Sequence, residues 1–310
     1  MSATTPTVAI EIASRRVTVV ELAGSTGRPA VSAYASEPLP ADAVTPGLVG
    51  SNIANPALVA DALKRACARA GIGSLRRAAL IVPDTIARVS LLHFDEVPAK
   101  PSDLDQLVSW QLRKSTPFPL EEARVEHLRA NTQAPGATFA AIVARTDVLA
   151  QYEAVAAAAG ARAGIVDLAS FNVMNAVMAA GAAPDADCLL VCLAHEGTTV
   201  AILRGTELLF YRHRAAMDEE PLSAIVHQTA MYHEDRLGGS KFGHVWLCGA
   251  ALASGNTDSV RTEIADRLNI SAEFVDVRQA ADLRDRIAAS PDVLDALAAP
   301  VGVLIRERAA

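Results

Sequence analysis

The sequence predicts an α/β protein of two lobes, the first interrupted by a small inserted α+β domain. Three observations lead there. Two segments open alike, with a buried apolar strand, a tight turn and further β-branched strands. Amphipathic helices follow each set of strands. The 310 residues are 51% hydrophobic, enough for more than one core. Only 4% are aromatic, so these cores are expected to be built on alanine and branched aliphatics at close spacing.

The first opening is V-A-I-E-I (8–12) and V-T-V-V-E-L (17–22), joined by A-S-R-R, which reads as a β-hairpin. V-S-A-Y-A-S (31–36) supplies a third strand. A helix is predicted over 56–70, with Leu58, Val59, Ala62, Leu63 and Ala66 on one stripe and Gly71 and Gly73 beyond its end. Strands are predicted at 78–83, 88–94, 124–130 and 138–144. Ser102 is the expected cap of a helix reaching Lys114, with Leu104, Leu107, Val108 and Leu112 inward. Pro117 and Pro119 exclude continuous helix after it. Another helix is predicted over 146–159.

The second opening is D-C-L-L-V-C-L-A (187–194), the turn H-E-G-T, and T-V-A-I-L-R (199–204). E-L-L-F-Y-R-H-R (207–214), a helix near 221–236, the strand H-V-W-L-C-G (244–249), a helix near 259–268 and a final helix from Pro291 or Leu294 complete the chain. The expected division is 1–79 for the first lobe, 80–160 for the insert, 161–185 for a return to the first lobe and 186–310 for the second.

A net charge of −7 disfavours phosphate backbones and anionic lipids as partners. The basic run Lys64, Arg65, Arg69, Arg76 and Arg77 has largely helical spacing and reads as a solvated helix face. Cys67, Cys188, Cys192 and Cys248 complete no metal-ligand pattern and read as buried thiols. Residues 2–7 are polar and carry no signal-peptide core, and no run of about 18 apolar residues spans a membrane. The longest apolar candidate, 169–183, is interrupted by Ser170, Asn172 and Asn175. No Gly-Lys-Ser/Thr phosphate loop and no G-x-S-x-G elbow occur.

Duplicated lobes around a cleft are the logic of the actin and sugar-kinase superfamily. I-E-I-A-S-R-R-V-T-V-V-E-L (10–22), L-H-F-D-E-V-P (92–98), S-W-Q-L-R-K-S-T-P-F-P-L-E-E-A (109–123) and A-G-A-R-A-G-I-V-D-L-A-S-F-N (159–172) resemble, in order, the PilM family of type IV pilus machines. L-L-V-C-L-A (189–194), V-W-L-C-G-A-A (245–251) and A-P-V-G-V-L-I-R (299–306) continue the likeness. The resemblance implies a two-lobed actin-like fold of the FtsA/PilM type. It also implies a cytoplasmic protein recruited to the inner membrane. Its partner would be the short N-terminal tail of a PilN-like membrane protein, held between the first lobe and the insert, with the pilus motor ATPases as further contacts. Phe94, Trp110 and Phe118 are the expected groove residues.

The same resemblance locates three nucleotide-binding elements, each altered. In the first hairpin Glu11 stands for the family's Asp, Ala13 for its Gly and Thr18 for a basic or polar residue, while Ser14 keeps a hydroxyl. In the second, Cys192 stands for Asp and Ala194 for Gly, with Gly197 later in the turn as a partial replacement. His195 and Glu196 in that turn read as solvated. In the third, Gly249 and Ala250 stand where a Gly-Gly pair is expected. A Cβ blocks close approach of backbone N–H groups to phosphate, and a thiol is a poor Mg²⁺ ligand. The helical lid after the second hairpin is also short. The expectation is a scaffold with a degenerate nucleotide site, no catalytic residue, no metal and no resident cofactor. The competing readings are an active, polymerising actin-like ATPase and the actin-like component of a type II secretion platform.

Overall fold

A computed structural model describes residues 5–24, 28–132, 135–181 and 186–309. In chain order the elements are β1 (Val8–Ile12), β2 (Arg16–Ala23), β3 (Ala30–Pro38), α1 (Pro56–Ala70), β4 (Ala78–Val82), β5 (Ala87–Phe94), α2 (Pro101–Arg113), β6 (Ala123–Asn131), β7 (Ala137–Arg145), α3 (Thr146–Ala158), β8 (Ala163–Leu168) and α4 (Ala169–Ala179). Then follow β9 (Asp187–Ala194), β10 (Gly197–Arg204), β11 (Glu207–Ala215), α5 (Leu222–Leu237), β12 (His244–Cys248), α6 (Ala250–Ala253), α7 (Thr257–Leu268), β13 (Glu273–Phe274), β14 (Asp282–Leu283) and α8 (Pro291–Ala309).

The strands form a six-stranded sheet in the order β14-β3-β2-β1-β4-β8, a five-stranded sheet β11-β10-β9-β12-β13 and a three-stranded sheet β5-β7-β6. The two large sheets share one plan. A central strand, β1 or β9, pairs antiparallel with the next strand and parallel with a later one, β4 or β12. Strand alternation then divides the side chains between layers. Val8, Ile10 and Ile12 pack toward α1 and α3, whereas Ala9 faces α4 and α8. Leu189 and Val191 pack toward α5 and α7, whereas Leu190 turns to the same α4–α8 layer. The result is five layers, with α4 and α8 sandwiched between the large sheets.

Small residues set that central spacing. Ala176 of α4 and Ala296, Ala298 and Ala299 of α8 are buried. A Cβ on Gly302 would lie 1.8 Å from the carbonyl oxygen of Asn172, so the helices cross there only because position 302 has none. The α1 start follows its sequence signal: Asn55 caps it by accepting from the Leu58 N–H (3.1 Å), and Gly71 ends it in the left-handed region.

Three expectations are corrected. α2 begins at Pro101, not at a Ser102 cap, because proline at the first helical position lacks only an N–H that has no intrahelical partner. The insert is smaller than 80–160. β4 lies inside the six-stranded sheet and α3 packs on α1, with Val148, Tyr152, Val155 and Ala156 in the first-lobe core. Only β5, α2, β6 and β7 form the separate sheet and its own core. The chain beyond 186 also does not stay in the second lobe. β14 pairs with β3, and α8 packs on α4 and against β1, β2 and β4. The expected boundary at 185/186 adjoins residues 182–185, which lie outside the described residues, as do residues 1–4 of the polar N-terminal stretch and 182–183 of the longest apolar run.

Gly302→Ala is expected to destabilise the protein by about 1–3 kcal/mol through overpacking of α4 against α8. Urea unfolding, read as a lowered midpoint at unchanged slope, checks this.

Candidate functional site

The two strand–turn–strand units point their turns into one cleft. Its lining includes Glu11, Ala13, Ser14 and Arg16 from the first lobe, Asp84 after β4, Cys192 to Gly197 from the second hairpin, Gly249 after β12, and Asp295 of α8. Thus the structure brings together most of the residues expected at the nucleotide elements. Two do not join them. Thr18 is fully buried and its hydroxyl meets that of Ser36 at 3.2 Å. Ala250 is packed in the second-lobe core.

The cleft is filled by the protein's own polar groups. Arg16 reaches back along the hairpin and donates to Glu11 at 2.9 Å. The Ser14 hydroxyl donates to the Glu196 carboxylate at 2.6 Å, joining the tips of the two hairpins. Asp84 accepts from the Ser170 N–H (3.1 Å) and hydroxyl (2.9 Å) on its own lobe, and from the Thr199 hydroxyl (2.7 Å) on the other. His213 bridges Thr199 (2.8 Å) and Thr85 (2.9 Å). Asp295 accepts from the N–H groups of Gly249 and Ala251, both at 2.8 Å. Asp84, Glu196 and Asp295 therefore each cross from lobe to lobe.

The glycines serve packing. A Cβ on Gly197 would lie 2.3 Å from the carbonyl oxygen of Arg214, and one on Gly249 would lie 1.9 Å from that of Leu193. Gly249 also has φ +83°, in the left-handed region. Gly197 thus lets β10 lie against β11. Glu196, read from the sequence as a solvated turn residue, is a cross-lobe acceptor.

Charge and space point the same way. Glu11, Asp84, Glu196 and Asp295 face a single guanidinium, Arg16. Burial pushes the Glu11 carboxyl above its ordinary value, against the pull of Arg16. Burial likewise raises Asp295, against the two backbone donors. Desolvation and nearby carboxylates hold the half-buried Cys192 thiol and the buried Cys248 thiol well above the usual thiol range. The free volume among these groups is about 70 Å³. That is room for a few waters, below the roughly 300–1,000 Å³ of ligand pockets. Among the described residues no group of three or more His, Cys, Asp or Glu is arranged to hold a metal ion.

The larger opening is elsewhere. A groove of about 600 Å³ runs between the first lobe and the insert. β8, an edge strand of the six-stranded sheet, forms one wall, and β6, an edge strand of the three-stranded sheet, forms the other. Alternation along β6 turns Arg124, Glu126 and Leu128 into the groove, while Val125 packs on the α2 side. Ile142, Leu149, Val166 and Phe171 make it apolar, with Glu126, Glu153 and Asp167 as acidic groups. Arg306 of α8 pairs with Asp167 at its border.

None of the three aromatics expected at a groove lines this one. Phe94 and Phe118 are buried in the core of the insert with Leu104, Val108, Leu112 and Phe139. Trp110 is 54% exposed on α2, under the Lys114 ammonium at 3.7 Å. An aromatic in a strand or loop satisfies a core as readily as a surface, and residue type alone does not separate them.

The profile of the family described as type IV pilus assembly protein PilM matches residues 9–237. The chain belongs to the PilM family. This member superposes on a solved structure titled as a PilM-PilN type IV pilus biogenesis complex with a TM-score of 0.81 and 18% identity, covering 98% of this chain and 99% of that one. It also superposes on a Bacteroides thetaiotaomicron protein of actin-like ATPase fold and unknown function, with a TM-score of 0.53, 8% identity and 94% of each chain covered. At such identities these likenesses establish the fold, which is actin-like. As expected from the sequence, this is an actin-like type IV pilus assembly protein. Among the described residues no helix is long and apolar enough to cross a membrane.

Linkage gives a test of the buried cleft. A carboxyl whose folded pKa is raised favours folding while protonated, and this contribution is lost as pH rises from its unfolded value through the folded one. Glu11→Gln cannot ionise. Its unfolding free energy is therefore expected to improve relative to the parent as pH rises from about 5 to about 8. Paired urea titrations at the two pH values read the difference; an unchanged difference would show that Glu11 is not held above its ordinary range.

Proposed function

We propose that this protein is a cytoplasmic scaffold of the type IV pilus inner-membrane assembly platform. It holds the N-terminal tail of a PilN-like membrane protein in the groove between β8 and β6 and neither binds nor hydrolyses ATP at its interlobe cleft. The observation that carries the reading is the contrast between the two openings. The cleft has about 70 Å³ and most of its polar groups bond to one another, while the groove has about 600 Å³ and is walled by the edge strand β8 and the β6–β7 face of the insert sheet. The solved structure named above is titled as a complex of a PilM with a PilN.

The groove suits an extended peptide. An edge strand offers a row of backbone donors and acceptors, so a tail can add as a further strand while alternate side chains enter the apolar floor. Glu126 and Glu153 favour a cationic residue in that tail. Recruitment through it would place a chain with no spanning helix among its described residues at the inner membrane, within reach of motor ATPases.

The cleft argues against catalysis on three grounds. No Asp ends β1 or β9, the backbone donors of Gly249 and Ala251 are held by Asp295, and a triphosphate entering would meet four carboxylates.

A synthetic PilN-type N-terminal peptide is expected to bind the full chain. Leu128→Glu should weaken it at least tenfold by placing a charge in the apolar floor, whereas Trp110→Ala should leave it unchanged. Isothermal calorimetry distinguishes these; equal affinity of the Leu128→Glu variant and the parent would remove the groove from the account. In the same series Mg-ATP is expected to leave the thermal midpoint unmoved, since a ligand of the native state raises it.

A further inference from the structure

Two of the basic residues that read from the sequence as a solvated helix face, Lys64 and Arg76, lie in the structure near the groove and are joined there by Arg162. Lys64, Arg65 and Arg69 lie on the exposed side of α1, with Arg76 in the loop after it and Arg162 at the entry to β8. Among the described residues Asp61 pairs with Lys64, while Arg65 and Arg69 turn to Glu37 of β3, four strands away from β8. Lys64, Arg76 and Arg162, with Asp61 as the anion paired among them, leave a positive surface there on a protein whose net charge is −7.

Backbone bonds fix where this surface sits. The Arg162 N–H donates to the Leu75 carbonyl at 3.0 Å, and the Ala78 N–H donates to the Arg162 carbonyl at 3.1 Å. Lys64, Arg76 and Gly160 border one shallow depression, and Ala163 and Gly164 line the groove. Three residues span at most about 10 Å, so the positive surface adjoins the end of the groove at the start of β8.

We propose that this basic face rests on the anionic headgroups of the bilayer and fixes which end of the groove meets the membrane. The inference rests on the groove reading above. A tail entering from a bilayer-anchored protein brings the groove mouth close to the headgroups. Cations bordering that mouth then lie within the Debye length, about 10 Å, over which a negative leaflet attracts them. Tail and patch bind as two linked sites, so a weak lipid contact strengthens the whole by effective concentration.

Vesicle co-sedimentation of the full chain tests it, with phosphatidylcholine alone or mixed with phosphatidylglycerol. Binding is expected only to the anionic vesicles, weakening as salt is raised. The triple variant Lys64→Glu/Arg76→Glu/Arg162→Glu should partition at least tenfold less, with the tail peptide bound in solution as by the parent. No sedimentation with anionic vesicles at low salt would overturn the proposal, as would equal binding to neutral vesicles or by the triple variant. Capture of an acidic peptide without vesicle binding would also overturn it, assigning the patch to a protein. Loss of peptide binding in the parent, with vesicle binding kept, would instead count against the groove reading alone.

Discussion

The carboxylate of Asp295, bonded to the backbone N–H groups of Gly249 and Ala251, is the contact on which the arrangement of the two lobes turns. It comes from α8, the helix shared by the lobes, and ends on the turn after β12. A negative group there satisfies donors that would otherwise face the cleft unpaired, at a cost comparable to a lost hydrogen bond. Asp84 to Thr199 and Ser14 to Glu196 repeat the pattern at the other elements. The lobes are held closed by groups the chain carries itself.

Closure of this kind changes what the fold can do. In a two-lobed protein that uses nucleotide, the ligand supplies the negative charge that both lobes bind. Here the charge is built in, and its burial raises the Glu11 and Asp295 carboxyls. A triphosphate would have to displace them and desolvate more charge in the same small space. On the proposal above, the closed body would present its groove without a nucleotide step, as a scaffold does.

Much of this was legible in the sequence where the signal is local. The apolar runs at 8–12 and 187–194 gave central strands, and the altered residues Ala13, Cys192 and Ala194 do line the cleft. What the sequence hid is long-range. Asp295 lies 46 residues from Gly249 and Glu196 lies 182 from Ser14, separations that no periodicity reports. The same limit placed α3 in the insert, by adjacency to β7, and α8 in the second lobe, by order along the chain. A groove between the first lobe and the insert was expected, but its lining was missed because those residues read as ordinary strand faces, while Phe94 and Phe118 drew attention and proved to be core.

Hydrogen–deuterium exchange on the full chain, with the tail peptide and separately with Mg-ATP, compares the two openings in one experiment. The account predicts peptide-dependent slowing of the backbone amides of β8, residues 163–168, and no change at the hairpin turns, 13–15 and 195–197, with Mg-ATP. Slowed exchange at those turns with nucleotide, and none at β8 with peptide, would return the function to the cleft.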